Sequence, residues 1–308
     1  MYKNQFEFNS KELLKFNEYD KQIFFDTTVY SVSSVNKAMN STLIFVDKLS
    51  EEDLYRLGKV ENSIIILNNK YLDTTFGNNH LLYVDRPRKE YAKILGYILN
   101  RNAKTEIKSC HNNSYYFSES IGENTIIEPF CLIDSTVKIG KNCLIKSGAK
   151  IRGNVNIGDY CIIKENCVIG ADGFGVERDE TGDTYKIPHV GGVLIGNNVE
   201  VGSCSVIAQG TIEPTVIEDY VKIDDSCFIA HNVHISKGSL IIANSEISGS
   251  VFIGKNSWIS PNVCIKDGVN IGDNCTIGMG SVVLKNVEHN TTIIGNPGRP
   301  LKGKNGGK

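Results

Sequence analysis

No stretch of this 308-residue chain approaches the roughly 18 consecutive apolar residues of a membrane span. Its start, MYKNQFEFNS, lacks the basic segment and apolar run of a secretory signal. The expectation is a cytoplasmic protein with no membrane insertion. A surplus of either charge is also missing, since 33 Lys and Arg are interspersed with 35 Asp and Glu. That balance argues against a nucleic-acid surface and for a small-molecule or protein partner. The nine cysteines include no CxxC pair and are odd in number. Zinc and a disulfide framework therefore have no basis in their spacing, and no metal is expected.

From Ile121 onward the sequence also has neither a helical nor a simple two-residue period. It falls into sixes: IGENTI IEPFCL IDSTVK IGKNCL IKSGAK IRGNVN IGDYCI IKENCV. The pattern returns at Ile195, Val201 and Ile207, and again from Ile217 through Ile229, Ile247 and Ile265 to Val283. A strict six-residue aliphatic period is the signature of a parallel β-helix, one short strand and one turn per unit. Three units close a triangular coil, and the chain holds enough units for about eight coils. The fifth place in the unit is small, and Cys131, Cys143, Cys161, Cys167, Cys227 and Cys275 occupy it. These cysteines read as core fillers.

Two breaks interrupt the period. Residues 170–194, GADGFGVERDETGDTYKIPHVGGVL, form a long charged, glycine-rich excursion, the kind of loop that carries function. A shorter break, AQGTIEPTV at 208–216, slips the phase by four residues. Before the repeat, TLIFV, SIIIL and LLYV read as strands and RPRKEYAKILGYILN as a helix from about Pro87. Asn9 and Glu12 stand at capping-box spacing ahead of another short helix. The predicted organisation is a small α/β domain over 1–103, a mainly β domain of hexapeptide coils over 104–290, and a tail over 291–308. The polar stretch NAKTEIKSCHNNS links the first two, and the lysine- and glycine-rich last residues read as disordered.

The segment CFIAHNVHIS holds two of the six histidines. In register, His231 is third and His234 sixth in its unit, so both side chains point outward, but at different places on the coil. They are not a shared metal site. One coil after His231 on the same edge stands Gly249. An outward imidazole beside an accessible backbone N–H is the minimum equipment for acyl transfer: a base for the proton and a donor for the oxyanion.

The run VIGADGFGVERDETGDTYKIPHVGG, the phase slip before TVI, and IAHNV together resemble the UDP-3-O-acylglucosamine N-acyltransferases of lipid A synthesis. VDRPRKEYAKIL resembles that family's N-terminal strand-to-helix junction. The resemblance implies a left-handed β-helix, a homotrimer, and an N-terminal domain that recognises the nucleotide. It implies His231 as catalytic base and Gly249 as oxyanion donor. It also implies that Asn232 orients the histidine or touches substrate, and that Asp172, Phe174 and His189 shape the sugar and acyl pocket. Phe45 becomes a candidate for stacking on the nucleotide base, with core packing as the alternative.

Three features depart from that family. AQGT stands at Ala208–Thr211 where the family has DRGA, Gly268 stands where it has a second histidine, and IIGNPGRPLK resembles the end of hexapeptide acetyltransferases. The last similarity implies acyl-CoA as co-substrate, held by Gly295, Asn296, Pro297 and Arg299, with acyl carrier protein as the other candidate donor. The sequence reading is thus an N-acyltransferase for a nucleotide-linked amino sugar in cell-surface polysaccharide or O-antigen synthesis. The alternatives are the lipid A enzyme itself and a non-catalytic structural β-helix. A metal site like that of β-helical carbonic anhydrases lacks its converging histidines.

Overall fold

The structure is a computed structural model that describes residues 6–15, 21–102, 114–116, 118 and 120–301. The expected linker and the disordered end fall largely or wholly outside the described residues. The chain divides into two compact units, Met1–Ile107 and Lys108–Lys308.

In the first unit, Ser31–Val32, Thr42–Val46, Ile64–Asn68 and His80–Val84 form a parallel sheet, with Gln22–Ile23 antiparallel at one edge. The strands are apolar on both faces because both are covered. Leu43, Ile64, Ile66 and Leu82 pack with Ile94 and Ile98 of α2 (Pro87–Asn102). Ile44, Ile65, Leu67 and Leu81 face Leu57 of α1 (Glu51–Leu57). The sequence reading missed α1, although Ser50 and Asp53 form a reciprocal capping box at its start. The helix expected after Asn9 is a 3-10 turn, Ser10–Lys15; Glu12 accepts from the Asn9 N–H at 3.3 Å, as its capping spacing suggests. Phe45 is half-buried and packs against Tyr91, ring centroids 4.8 Å apart. Both rings pack against the apolar cluster on that face of the sheet.

The second unit is a left-handed parallel β-helix whose three faces are sheets of nine, seven and ten strands among the described residues. The period of six becomes coil on coil, with Leu144 beside Ile162 and Leu132 beside Lys150. The first-place isoleucines Ile133, Ile145, Ile151, Ile163, Ile229, Ile247 and Ile265 are fully buried. Replacing one by alanine costs about 2–5 kcal/mol, because a stacked column cannot collapse into the gap. All six fifth-place cysteines are buried, and Cys143 lies against Cys161 in the next coil.

The fourth place of the unit turns the corner in the left-handed backbone region. Asn142, Asn166, Asn198, Asn232, Asn244, Asn256 and Asn274 all have φ between 54° and 60°. Asparagine tolerates that conformation better than other non-glycine residues. Residues 292–300, read as a tail, continue the unit instead. Thr292–Ile294 pairs with Thr276–Ile277, and Arg299–Pro300 folds back on it.

Both breaks in the period fall at one corner, where the nine-stranded sheet passes to the seven-stranded one. The excursion leaves after Val168–Ala171 and returns at Val193–Ile195; the slip lies between Val206–Ala208 and Thr215–Ile217. Neither breaks the ladders. Asn156 pairs with Leu194 across the excursion, and Leu194 with Val216 across the slip. The insertions brace each other through backbone bonds from Val190 to Thr211 and from Gly191 to Gly210, both 2.9 Å.

Candidate active site

His231 stands at that same corner, directly after the strand Phe228–Ile229. Its orientation is set by Asn232, which the phase slip holds on every side. The Asn232 Nδ2 donates to the Glu213 carbonyl at 2.8 Å, and Oδ1 accepts from the Thr211 N–H at 3.2 Å and hydroxyl at 3.0 Å. These partners fix which end of the amide is oxygen. Oδ1 also lies 3.0 Å from His231 Nδ1, so Nδ1 carries the proton and Nε2 presents a bare lone pair.

Gly249 lies one coil on, against the imidazole. A Cβ there would fall 2.7 Å from His231 Cε1 and 2.9 Å from Nε2, so only glycine leaves the ring where it is. At equivalent turns Lys141, Asn197 and Lys255 donate their backbone N–H to an aspartate one coil away at 2.6–2.7 Å. The Gly249 N–H has no hydrogen-bond partner among the described residues. A basic lone pair and a free donor thus stand side by side.

The excursion closes over this edge. Asp172 accepts from Lys186 Nζ at 2.5 Å and from Gln209 Nε2 at 2.9 Å, tying both arms of the loop to the slip. The Lys186 ammonium, then the Gln209 amide, hold the Asp172 carboxyl below the usual carboxylate range. His189 is buried, its ring edge-to-face with His231 at 5.3 Å between centroids. The structure therefore brings His231, Asn232, Gly249, Asp172 and His189 together. Phe174, just ahead of the excursion's first hairpin strand Val176–Arg178, is 88% exposed. His234 faces another side, bonded to Glu218 at 2.8 Å and packed against Phe252.

Sequence reasoning missed the clamp on Asn232 and the Gln209–Asp172 tie. The signal was the slip itself, one coil ahead of His231. Further along the same edge, Lys285 and Asn286 border a shallow cavity of about 470 Å³ with Gly298, Arg299 and Pro300. Gly295 has φ 93°, and Arg299–Pro300 pairs antiparallel with Ile293–Ile294, so this segment folds back on itself. Among the described residues no three His, Cys, Asp or Glu side chains cluster as metal ligands, and no helix is long and apolar enough to cross a membrane.

Comparison with known proteins agrees with the coil. The family model for bacterial transferase hexapeptide (six repeats) matches residues 120–153, 136–171 and 250–285. This is a hexapeptide-repeat protein. A UDP-3-O-acylglucosamine N-acyltransferase of Campylobacter lari is 41% identical over 122 residues, 40% of this chain and 38% of that protein. A UDP-3-O-acylglucosamine N-acyltransferase 2 of Legionella pneumophila is 42% identical over 129 residues, 42% of this chain and 37% of that protein. The matched part is thus less than two-fifths of each relative's length. Among solved structures, a UDP-N-acetylglucosamine acyltransferase from Bacteroides fragilis superposes with a TM-score of 0.56 at 26% identity, covering 62% of this chain and 73% of its own. That of Campylobacter jejuni gives the same TM-score at 24% identity and shares the fold.

Proposed function

We propose that this hexapeptide-repeat protein is an N-acyltransferase that moves an acyl group from a thioester to the amine of a UDP-linked 3-O-acylglucosamine. The observation that carries the reading is the bare Nε2 of His231 beside the unpartnered N–H of Gly249. The names of the two curated relatives supply the acceptor.

In this mechanism the sugar amine attacks the thioester carbonyl while His231 Nε2 takes its proton. A C–N bond forms, and the carbonyl oxygen becomes an oxyanion that the Gly249 N–H stabilises. Asn232 Oδ1, accepting from Nδ1–H, stabilises the imidazolium. The imidazolium then gives its proton to the sulfur as the C–S bond breaks, releasing amide and thiol. The donor's pantetheine arm runs along the shared edge toward Lys285 and Arg299, roughly three strand spacings or about 14 Å away. That arm is common to acyl-CoA and acyl carrier protein. On this reading Gly295, Asn296 and Pro297 border the donor, the N-terminal unit takes the nucleotide, and the enzyme is a cytoplasmic homotrimer.

The replacement of DRGA by Ala208–Thr211 favours a second acceptor, another nucleotide-linked amino sugar, because Gln209 is what now meets Asp172. The test is an acyl-transfer screen with purified protein. UDP-3-O-acylglucosamine and other UDP- and dTDP-linked amino sugars are offered with acyl carrier protein and CoA thioesters, and N-acyl products are read by mass spectrometry. Amide formation with UDP-3-O-acylglucosamine is expected. Product with a different amino sugar alone selects the second acceptor, and product formation undiminished in His231→Ala overturns the mechanism.

A further inference from the structure

One polar atom in this edge has no assigned task. His189 is 5% exposed, and its Nε2 is buried with no hydrogen-bond partner. Its Nδ1 lies 2.9 Å from the Ile187 carbonyl, which can only accept, so Nδ1 holds the proton and Nε2 is a bare acceptor. A buried acceptor without a donor is costly, and such atoms in a folded protein call for an explanation. The atom sits within the site, because the His189 ring meets His231 edge to face.

What covers it is backbone, held at its C-terminal end by the Ile187 N–H donating to the Gly175 carbonyl at 2.9 Å. A Cβ on Gly173 would lie 2.7 Å from His189 Nε2 and 2.9 Å from His231 Cδ2, and one on Gly175 would lie 3.0 Å from His189 Cε1. Two residues without side chains therefore rest against the two imidazoles. Between them Phe174 points its ring into solvent and anchors nothing within the chain. The strap is tied on its N-terminal side through Asp172 to Lys186 and Gln209. Its replacement by a ligand would exchange contacts with two glycines for a hydrogen bond that His189 lacks.

We infer that His189 determines acceptor specificity: its Nε2 accepts a hydrogen bond from a hydroxyl or amine N–H of the amino sugar once the Gly173–Gly175 strap lifts. This rests on the acyl-transfer reading. A bare Nε2 accepts and cannot donate, so it selects a sugar bearing a donor at that position. An ether or a deoxy position there leaves the atom unpaired.

The test uses the full chain labelled with ¹⁵N at histidine, titrated with UDP-3-O-acylglucosamine in the absence of acyl donor. The His189 Nε2 resonance is expected to move from the bare to the hydrogen-bonded range. His189→Leu is expected to raise KM for the sugar nucleotide about tenfold to a hundredfold, the worth of one buried hydrogen bond. Its kcat and the donor KM should stay within threefold, and His189→Gln, whose Oε1 can accept, should recover most of the loss. A His231 resonance that responds to the sugar while His189 stays unmoved overturns the inference and leaves acyl transfer standing. A loss in kcat with unchanged KM also overturns it. If no histidine responds and no turnover is found, the acyl-transfer reading fails and takes this inference with it. The wild-type titration decides even where a variant does not fold.

Discussion

Two corners of the same β-helix make an instructive pair. Where the seven-stranded sheet passes to the ten-stranded one, the coil turns without interruption. Lys141 donates its N–H to Asp159, Asp159 to Asn197, Asn197 to Asp219 and Lys255 to Asp273. In these four coils the turn amide is capped by a side chain of the next, while the Lys237 amide is capped by Glu218 of the coil before, and the corner is scaffold. At the His231 corner the same six-residue unit leaves the Gly249 amide uncapped and puts an imidazole over it. Its turn residue, Asn232, is held by the inserted Thr211 and Glu213. The difference lies in what occupies the turn amide, not in backbone geometry: Asn232 has φ 60° and Asn142 has φ 55°.

Substitutions can break the comparison from either side. The largest effect is expected for His231→Gln, which removes the base. The rate of amide formation should fall about a hundredfold to ten-thousandfold with the melting temperature unchanged. Equal loss of activity and stability would make His231 one more scaffold residue.

Glycine-to-alanine changes at the two corners should fail in different ways. The new methyl of Gly249→Ala meets the His231 ring, and activity should drop at least about a hundredfold while the fold survives. In Gly254→Ala it meets Gly272 backbone and the Asp273 carboxylate at 2.5 Å. Calorimetry should show a loss of about 1–3 kcal/mol of stability, with turnover per folded molecule intact.

A smaller effect is expected for Asp159→Ala, which uncaps the Lys141 amide. It should cost about 0.5–1.5 kcal/mol and leave kcat/KM alone; a changed kcat/KM would mean that the scaffold corner also touches substrate.

The smallest effect concerns the tie of the excursion. The folded Asp172 carboxyl is held below its unfolded value of 3.8, chiefly by Lys186. Its contribution is therefore complete above 3.8 and is lost only as pH falls through the lower folded value. Limited proteolysis within residues 176–186 should stay slow down to about pH 4 in the wild type and be faster at neutral pH in Asp172→Asn. Equal cleavage rates would show that the tie does not hold the loop.

The repeat made most of the second unit legible, because each sixth-residue isoleucine can only point inward and each coil inherits the register of the last. The same register placed His231 beside Gly249. The asparagines at the fourth place were visible as letters but not read as left-handed turns. The neighbours of His189 were not legible, since a loop outside the period carries no register to say what its side chains meet. In the first unit, α1 was missed because seven residues offer too few apolar positions for a helical period to stand out. Only its Ser50 and Asp53 ends announced it.

The placement of both insertions at one corner also bears on how such a chain can change. A parallel ladder closes across an excursion of any length provided the chain returns in phase, as Asn156 with Leu194 and Leu194 with Val216 demonstrate. That corner is a seam at which sequence can be lengthened, trimmed or exchanged while the isoleucine columns stay aligned. New acceptor preferences can arise there by swapping one loop, without renegotiating the core.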